Sequence, residues 1–246
     1  MVNDSALKAA SFLFKKAYFV YKPLYFRFKK IQDRSIIDLC RSLIKPGDVI
    51  ADIGANIGFY SSIFSGLCGA EGKVYSFEPD KKNYQKLKEN LSGLNNCTLV
   101  NSAVGLKTEK IKLYTSHRLN VDHRIIEPEK YDGIIEVDCL SLDGYFKQGH
   151  KIDLIKMDIQ GAEMNALLGM RNVLSQNRGL KIISEFWPYS MLRAGYKAED
   201  MFAFLDSVNY SIKVISGDGR MEELHLNDVK DRTEETFDLN IFISRK

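Results

Sequence analysis

The sequence predicts a doubly wound α/β fold: a mostly parallel sheet of seven strands with helices on both faces. Three observations carry that expectation. From Val49 onward, short apolar runs alternate with longer helix-compatible segments. The first run, Val49 to Ala51, ends at Asp52 and turns through Gly54 and Gly58 into an apolar helical segment. A second run, Val74 to Phe77, ends in the acid Glu78. A buried parallel sheet favours such continuous apolar strands over strict alternation.

Residues 1–44 read as a helical extension, and residues 45–246 as the main domain. Residues 1–30 hold six Lys and one Arg against one Asp. Phe14, Tyr18, Tyr21, Tyr25 and Phe28 recur at helical spacing, and Pro23 is expected to kink or split that helix. Such a basic, aromatic segment suits peripheral contact with an anionic membrane or an acidic partner. The alternative is that the stripe packs on the main domain with its lysines in water. Asp33 to Leu43 reads as another helix, stopped by Lys45-Pro46-Gly47-Asp48.

The expected strands are 49–52, 73–77, 98–101, 152–157, 180–184, 210–215 and 237–243. Helices are expected over 57–67, 80–91 with Asp80 as N-cap, 162–170 and 198–207. Residues 106–140 break the alternation, with two strand-like runs (111–114 and 134–138) around a polar loop, and read as an insert or substrate loop. The polar stretch 217–235 reads as a connection.

The glycine spacing separates nucleotide classes. Gly54-x-x-x-Gly58 lacks the G-x-G-x-x-G of dinucleotide folds, and no phosphate-binding lysine follows. An acid at Asp52 would repel a pyrophosphate but can accept hydrogen bonds from an ammonium group. Glu78, at the tip of the second strand, stands where a ribose diol is held. Together these favour S-adenosylmethionine (SAM), which carries an ammonium and a ribose but no phosphate.

Three ordered motifs deepen this reading: Asp52-Ile-Gly54-Ala55-Asn56-Ile-Gly58-Phe-Tyr60, Phe77-Glu78-Pro79-Asp80, and Ile155-Lys156-Met-Asp158-Ile-Gln160-Gly161-Ala-Glu163. They resemble the FkbM-type SAM-dependent methyltransferases over about residues 45–190. The third motif departs from that family's Asp-x-Glu-Gly-Ala-Glu, with Gln160 in place of the first Glu. The resemblance implies a class I methyltransferase fold and O-methylation of a hydroxyl on a small molecule, sugar or glycan-linked metabolite.

Cofactor contacts are expected from Asp52, Gly54, Ala55, Asn56, Gly58, Tyr60, Glu78, Asn101, Ser102, Ala103 and Asp158. Methyl transfer to a hydroxyl needs in-line placement, exclusion of water and a group to take the proton. Asp158 is the first candidate for that group or for orienting the acceptor. Lys156, two residues earlier on the same sheet face, would be its electrostatic partner. Glu185 is the second carboxylate candidate and His123, in the insert, a competing base. Glu163 reads as a helix-start residue.

Two readings compete: an NAD-dependent oxidoreductase, whose glycine fingerprint is missing, and a catalytically inactive SAM-binding relic. The net charge of +3 argues against nucleic acid as a partner. Four scattered cysteines and four scattered histidines point to neither a zinc site nor a disulfide framework, so no metal is assigned. With no apolar run long enough to span a bilayer, a cytoplasmic location is expected.

Overall fold

The computed structural model describes residues 4–116 and 123–246. Three helices come first: α1 (Asp4–Lys16), α2 (Tyr18–Gln32) and α3 (Arg34–Leu43). Then follow β1 (Val49–Ile53), α4 (Phe59–Cys68), β2 (Lys73–Phe77), α5 (Lys81–Leu91) and β3 (Cys97–Val100). The insert region holds β4 (Ala103–Val104), β5 (Glu109–Thr115), β6 (Gly133–Leu140) and α6 (Leu142–Tyr145). Residues 117–122 of the expected insert lie outside the described residues. Next are β7 (Leu154–Met157), α7 (Glu163–Leu168), α8 (Arg171–Gln176), β8 (Lys181–Phe186), α9 (Pro188–Arg193), α10 (Ala198–Ser207) and β9 (Tyr210–Ile215). Last are β10 (Met221–Glu223), α11 (Leu226–Val229) and β11 (Leu239–Arg245).

The main sheet runs β10-β9-β11-β8-β7-β1-β2-β3. The five strands from β8 to β3 pair in parallel, whereas β11 is antiparallel to both of its neighbours. The chain steps outward from β1 to β3 and returns on the other side as β7. The strand order therefore reverses between β1 and β7, where an open α/β sheet leaves a crevice.

Alternation along β1 feeds both faces. Ile50 packs with Phe59, Phe64 and Val74 and with Ile36, Ile37 and Cys40 of α3. Ala51 and Ile53 join Ile155, Met157, Leu167 and Phe204 on the other side. Helix α3 is thus part of the apolar layer that covers the sheet. Asp80 caps α5 as its position predicts, its carboxylate accepting from the N–H groups of Lys82 and Asn83 at 2.9 Å.

The structure corrects several expectations. The sheet has an eighth strand, β10, inside the stretch read as a connection. Its three residues are all exposed, so no apolar alternation announces it. The insert is a second sheet, β4-β6-β5, rather than a loop bearing two strands. The N-terminal helix breaks at Ala17, not at Pro23, which lies within α2. Pro23 and Phe19 sit on the solvent side of that helix, where water can satisfy the carbonyl that proline leaves without a donor. Helices α6, α8, α9 and α11 span four to six residues, too short to show a helical period.

Gly169, at the end of α7, packs against the backbone that follows β4. A Cβ built there would lie 2.0 Å from the Gly105 carbonyl oxygen, which belongs to backbone and cannot swing away. Gly169→Ala should cost about 2–3 kcal/mol through overpacking and lower Tm by roughly 5–10 °C. Thermal melting checks this; an unchanged Tm would show that the contact is loose.

Candidate functional site

Gly54 leaves β1 with φ +82°, and a Cβ there would stand 2.2 Å from the backbone oxygen of Asp158. Only glycine combines that conformation with that contact. The N–H of Asp158 donates to the Ile53 carbonyl at 3.1 Å. The N–H groups of Gly54 and Ala55 both donate to the Phe77 carbonyl, at 3.0 and 2.9 Å. The ends of β1, β2 and β7 are thereby held together.

A crevice of about 560 Å³ opens over these ends. Gly54, Asn56, Glu78, Ser102, Ala103, His123 and Asp158 line it, with Pro79, Asn83, Leu113, Ile125 and Gln160 among the residues not anticipated. Glu78 is fixed in the wall: Oε2 accepts from the Asn56 N–H and Oε1 from the Asp80 N–H, each at 2.9 Å. Among the described residues three non-glycine residues take left-handed backbone conformations, Asn56 (φ 51°), Gln160 (φ 56°) and Asn209 (φ 66°), and the first two face this crevice. Such conformations persist where the surroundings over-determine them, as at ligand sites.

Other expected contacts fall elsewhere. The carboxylate of Asp52 turns onto α4, because alternation sends it to that face. It accepts from the Ser61 hydroxyl at 2.6 Å, and Ser61 accepts in turn from Ser76 at 2.8 Å. Ala55 packs with Leu87 and Leu91. At Gly58 a Cβ would meet Leu87 at 2.8 Å, so this glycine permits the approach of α5, not of a ligand. Asn101 donates to the carbonyls of Glu78 (2.8 Å) and Pro79 (3.1 Å) and shapes the loop that carries Glu78.

Tyr60, Lys156 and Glu185 gather at a second cavity of about 800 Å³, which shares Asp158 and Gln160 with the first. Helix α2 and the residue after it contribute Lys29, Gln32 and Asp33 to its wall; Asp238 and Asn240 come from β11 and the residue before it. A polar chain crosses this wall. Lys29 pairs with Asp33, the Tyr60 hydroxyl donates to Asp33 at 2.7 Å, and the Lys156 ammonium sits 4.3 Å from the Tyr60 ring centroid. Lys156 Nζ lies 3.4 Å from Asp158 Oδ2, and the Gln160 amide donates to Asp158 Oδ1 at 3.1 Å. Sequence reading missed the α2 contribution, although Lys29 and Asp33 stand at ion-pair spacing on a helix. His123 lies in the first crevice and not the second, its Nδ1 accepting from the Ser116 N–H at 3.2 Å. Glu163 accepts from the Ile159 N–H at 3.1 Å, a local role at the start of α7.

These carboxyls have distinct proton affinities. Burial opposes ionisation of Asp158, but the charges of Lys156 and Lys29 outweigh it and hold the carboxyl below its ordinary range. Its side chain is 40% exposed, so solvent screens part of that field. Burial pushes Glu185 up to about 9, with the negative charges of Asp158 and Glu163 adding to the effect. Burial likewise pushes Glu78 up to about 8, against the pull of its two backbone donors, and Glu163 up to about 7. Asp52 is also raised, by burial that Lys156 and Ser61 only partly offset. Oδ1 of Asp52 and Oε2 of Glu185 are buried without a hydrogen-bond partner among the described residues. Among those residues no group of three or more His, Cys, Asp or Glu converges as a metal site would require.

Glu78, Glu163 and Glu185 keep protons in the folded chain at pH values where an unfolded carboxyl, ionising near 4.5, has lost its own. The folded state therefore binds more protons between about pH 4.5 and 9, and stability falls as pH rises through that window. Asp158 is lowered and Lys156 is raised above 10.5, so both act outside it. The ligand-free chain should melt several degrees higher at pH 6 than at pH 9, at about 2–4 °C per kcal/mol. A Tm that rises over this interval would contradict the assignment.

Residues 52–212 match the methyltransferase FkbM domain. The chain is 29% identical over 162 residues to the 2-O-methyltransferase NoeI of Sinorhizobium fredii, a match covering 59% of this chain and 65% of that protein. It is 25% identical over 187 residues to the hexuronic acid methyltransferase AglP of Haloferax volcanii, covering 74% and 71%. Among solved structures, SMU.1697c of Streptococcus mutans, determined with S-adenosylhomocysteine (SAH), aligns with TM-score 0.50 at 9% identity over 87% of this chain and 98% of its own. An rRNA-methylase-like chain of Clostridium thermocellum aligns with TM-score 0.52 at 13% identity over 87% and 95%. At such identities the structural likeness establishes the fold alone. The family match covers well over half of the sequence and includes the β1 loop, Glu78 and the end of β7, so the chain belongs to the FkbM methyltransferase family and is an enzyme of methyl transfer.

Proposed function

We propose that this enzyme moves a methyl group from SAM to a hydroxyl of a sugar or glycan-linked acceptor. One observation carries the reading: two cavities share Asp158 and Gln160 as a common wall. A donor in the first and an acceptor in the second would meet at that wall, as in-line transfer requires. When bound, SAM supplies an electrophilic methyl on a sulfonium. The first crevice fits such a ligand: Glu78 offers a fixed carboxylate for ribose hydroxyls, and Gly54 leaves its backbone uncovered.

In the second cavity Asp158, kept ionised by Lys156, orients the acceptor hydroxyl and takes its proton. Glu185, protonated at neutral pH, donates a hydrogen bond to the acceptor. Lys156 positions Asp158 and is itself fixed by the Tyr60 ring. His123, on the wall of the first crevice, has no part in the proton transfer. The names of the two relatives support oxygen as the methylated atom and a sugar as its carrier. With Glu185 protonated, Asp33, Asp158 and Asp238 still outnumber Lys29 and Lys156 around the second cavity, so a neutral sugar ring suits it better than a hexuronate. The oxidoreductase reading ends with the family assignment.

Three measurements test this. Glu78→Ala should weaken SAH binding about ten- to a hundredfold, the loss of a charged hydrogen-bonding group worth roughly 1.5–3 kcal/mol; calorimetry giving an unchanged Kd would remove Glu78 from the ribose site. Asp158→Asn should lower kcat about 10²- to 10⁴-fold while leaving the SAH Kd within a few-fold; full turnover in that variant would rule Asp158 out as proton acceptor. Ribose hydroxyls favour ionised Glu78 over the protonated form that predominates below pH 8. Cofactor binding should therefore release a proton at pH 7 and tighten toward pH 9, which titrations in buffers of different ionisation enthalpy would detect. A chain that binds SAH yet methylates no acceptor in a broad library of hydroxyl compounds would favour the relic reading.

A further inference from the structure

Helices α1 and α2 present two unlike faces. The inner one is an aromatic ladder. The Phe14 ring meets Tyr18 and Tyr21 edge-on at 5.6 and 5.2 Å, Tyr21 stacks on Tyr25 at 5.4 Å, and Phe26 meets Phe59 of α4 at 5.2 Å. That ladder packs on the domain, so the inward reading of the aromatic stripe holds for all of its members but Phe28. The outer face is different. Phe12 of α1 and Phe19, Leu24, Phe28 and Ile31 of α2 are 63, 82, 56, 56 and 70% exposed, nearly half of the large exposed apolar residues among those described, with Phe19 and Phe28 at opposite edges of the exposed side of α2. Lys15, Lys16, Arg27 and Lys30 are exposed among them. From Ser5 to Gln32 the sequence contains no acidic residue.

Large apolar side chains cost free energy in water, and a cluster of them marks a contact surface. The charges around the cluster select the occupant. In a two-fold contact with a second copy, the same lysines and arginines would face one another, and the segment has no carboxylates to pair with them. An anionic bilayer accepts both components: phenylalanine and leucine enter the acyl boundary while Lys and Arg stay among lipid phosphates and carboxylates. No helix among the described residues is long and apolar enough to cross a membrane, so the contact would lie in the interface plane.

We propose that the outer face of α1 and α2 docks this enzyme on an anionic lipid surface. The proposal does not depend on which acceptor occupies the second cavity, but it has a consequence for that site. Lys29 and Gln32 of α2 belong to the cavity wall, so docking holds the cavity about one helix diameter, roughly 10 Å, from the lipid.

The test is co-sedimentation of the full chain with vesicles of phosphatidylcholine alone or with about 30% phosphatidylserine, near 0.1 M and 0.5 M salt. The expected result is at least tenfold stronger partitioning to the anionic vesicles at low salt, reduced at high salt. The double variants Phe19→Asp/Phe28→Asp and Lys15→Glu/Lys16→Glu should each abolish most of it without changing Tm or SAH binding. Equal partitioning to both vesicle types, or binding that survives both double variants, would overturn the proposal. So would sedimentation equilibrium showing a dimer that Phe19→Asp/Phe28→Asp dissolves, since a second copy would then be the occupant.

Discussion

The approach of two strand ends governs this site. Gly54 lets the backbone after β1 touch the backbone after β7, with the Asp158 carbonyl oxygen where any other residue would carry its Cβ. Pressed together, the two loops become a partition with Asp158 and Gln160 at its edge and a cavity on either side. Asn56 and Gln160, one in each loop, take left-handed conformations to complete the turn. A side chain at position 54 would collide with the Asp158 backbone and push the two loops apart.

Lys156 sets the electrostatics around that partition. It is buried in the sheet and stands in register with Asp52 of β1. Burial alone would strip its proton, but the charges of Asp158, Asp52 and Asp33 outweigh that cost and raise its affinity instead. Its positive charge in turn keeps Asp158 ionised, whereas Glu185, desolvated by burial and facing the negative charges of Asp158, Glu163 and Asp238, holds a proton. Two carboxyls on one rim thus take opposite protonation states at neutral pH, the arrangement by which a site can both accept a proton and donate a hydrogen bond. A single buried cation organises the whole group, because in a low-dielectric setting each carboxyl responds to its nearest charges more than to solvent.

The N-terminal helices serve both halves of this picture. Asp33, between α2 and α3, accepts from Tyr60, which lies against Lys156, so the charge network begins ahead of the first strand. The aromatic ladder that seats these helices is built from residues whose helical spacing is plain in the sequence. Its depth is not: Phe28 shares the spacing of Tyr21 and Tyr25 yet remains exposed.

The sequence by itself determined the alternation of strands and helices, the glycine turn at Gly54, the cap at Asp80 and the place of Glu78 at the tip of β2. Each is local: a period, a left-handed turn or an N-cap is written within a few residues. Only the tertiary structure decided that Asp52 turns from the crevice toward Ser61, that Gly58 and Ala55 serve packing against α5, and that Tyr60 and Glu185 belong to the second cavity. It also decided that 106–140 forms a sheet and that Lys29, Asp33 and Asp238 join the site. Those outcomes depend on strand register and on which faces meet across the sheet, and such contacts link residues tens to hundreds of positions apart, beyond the reach of any local pattern.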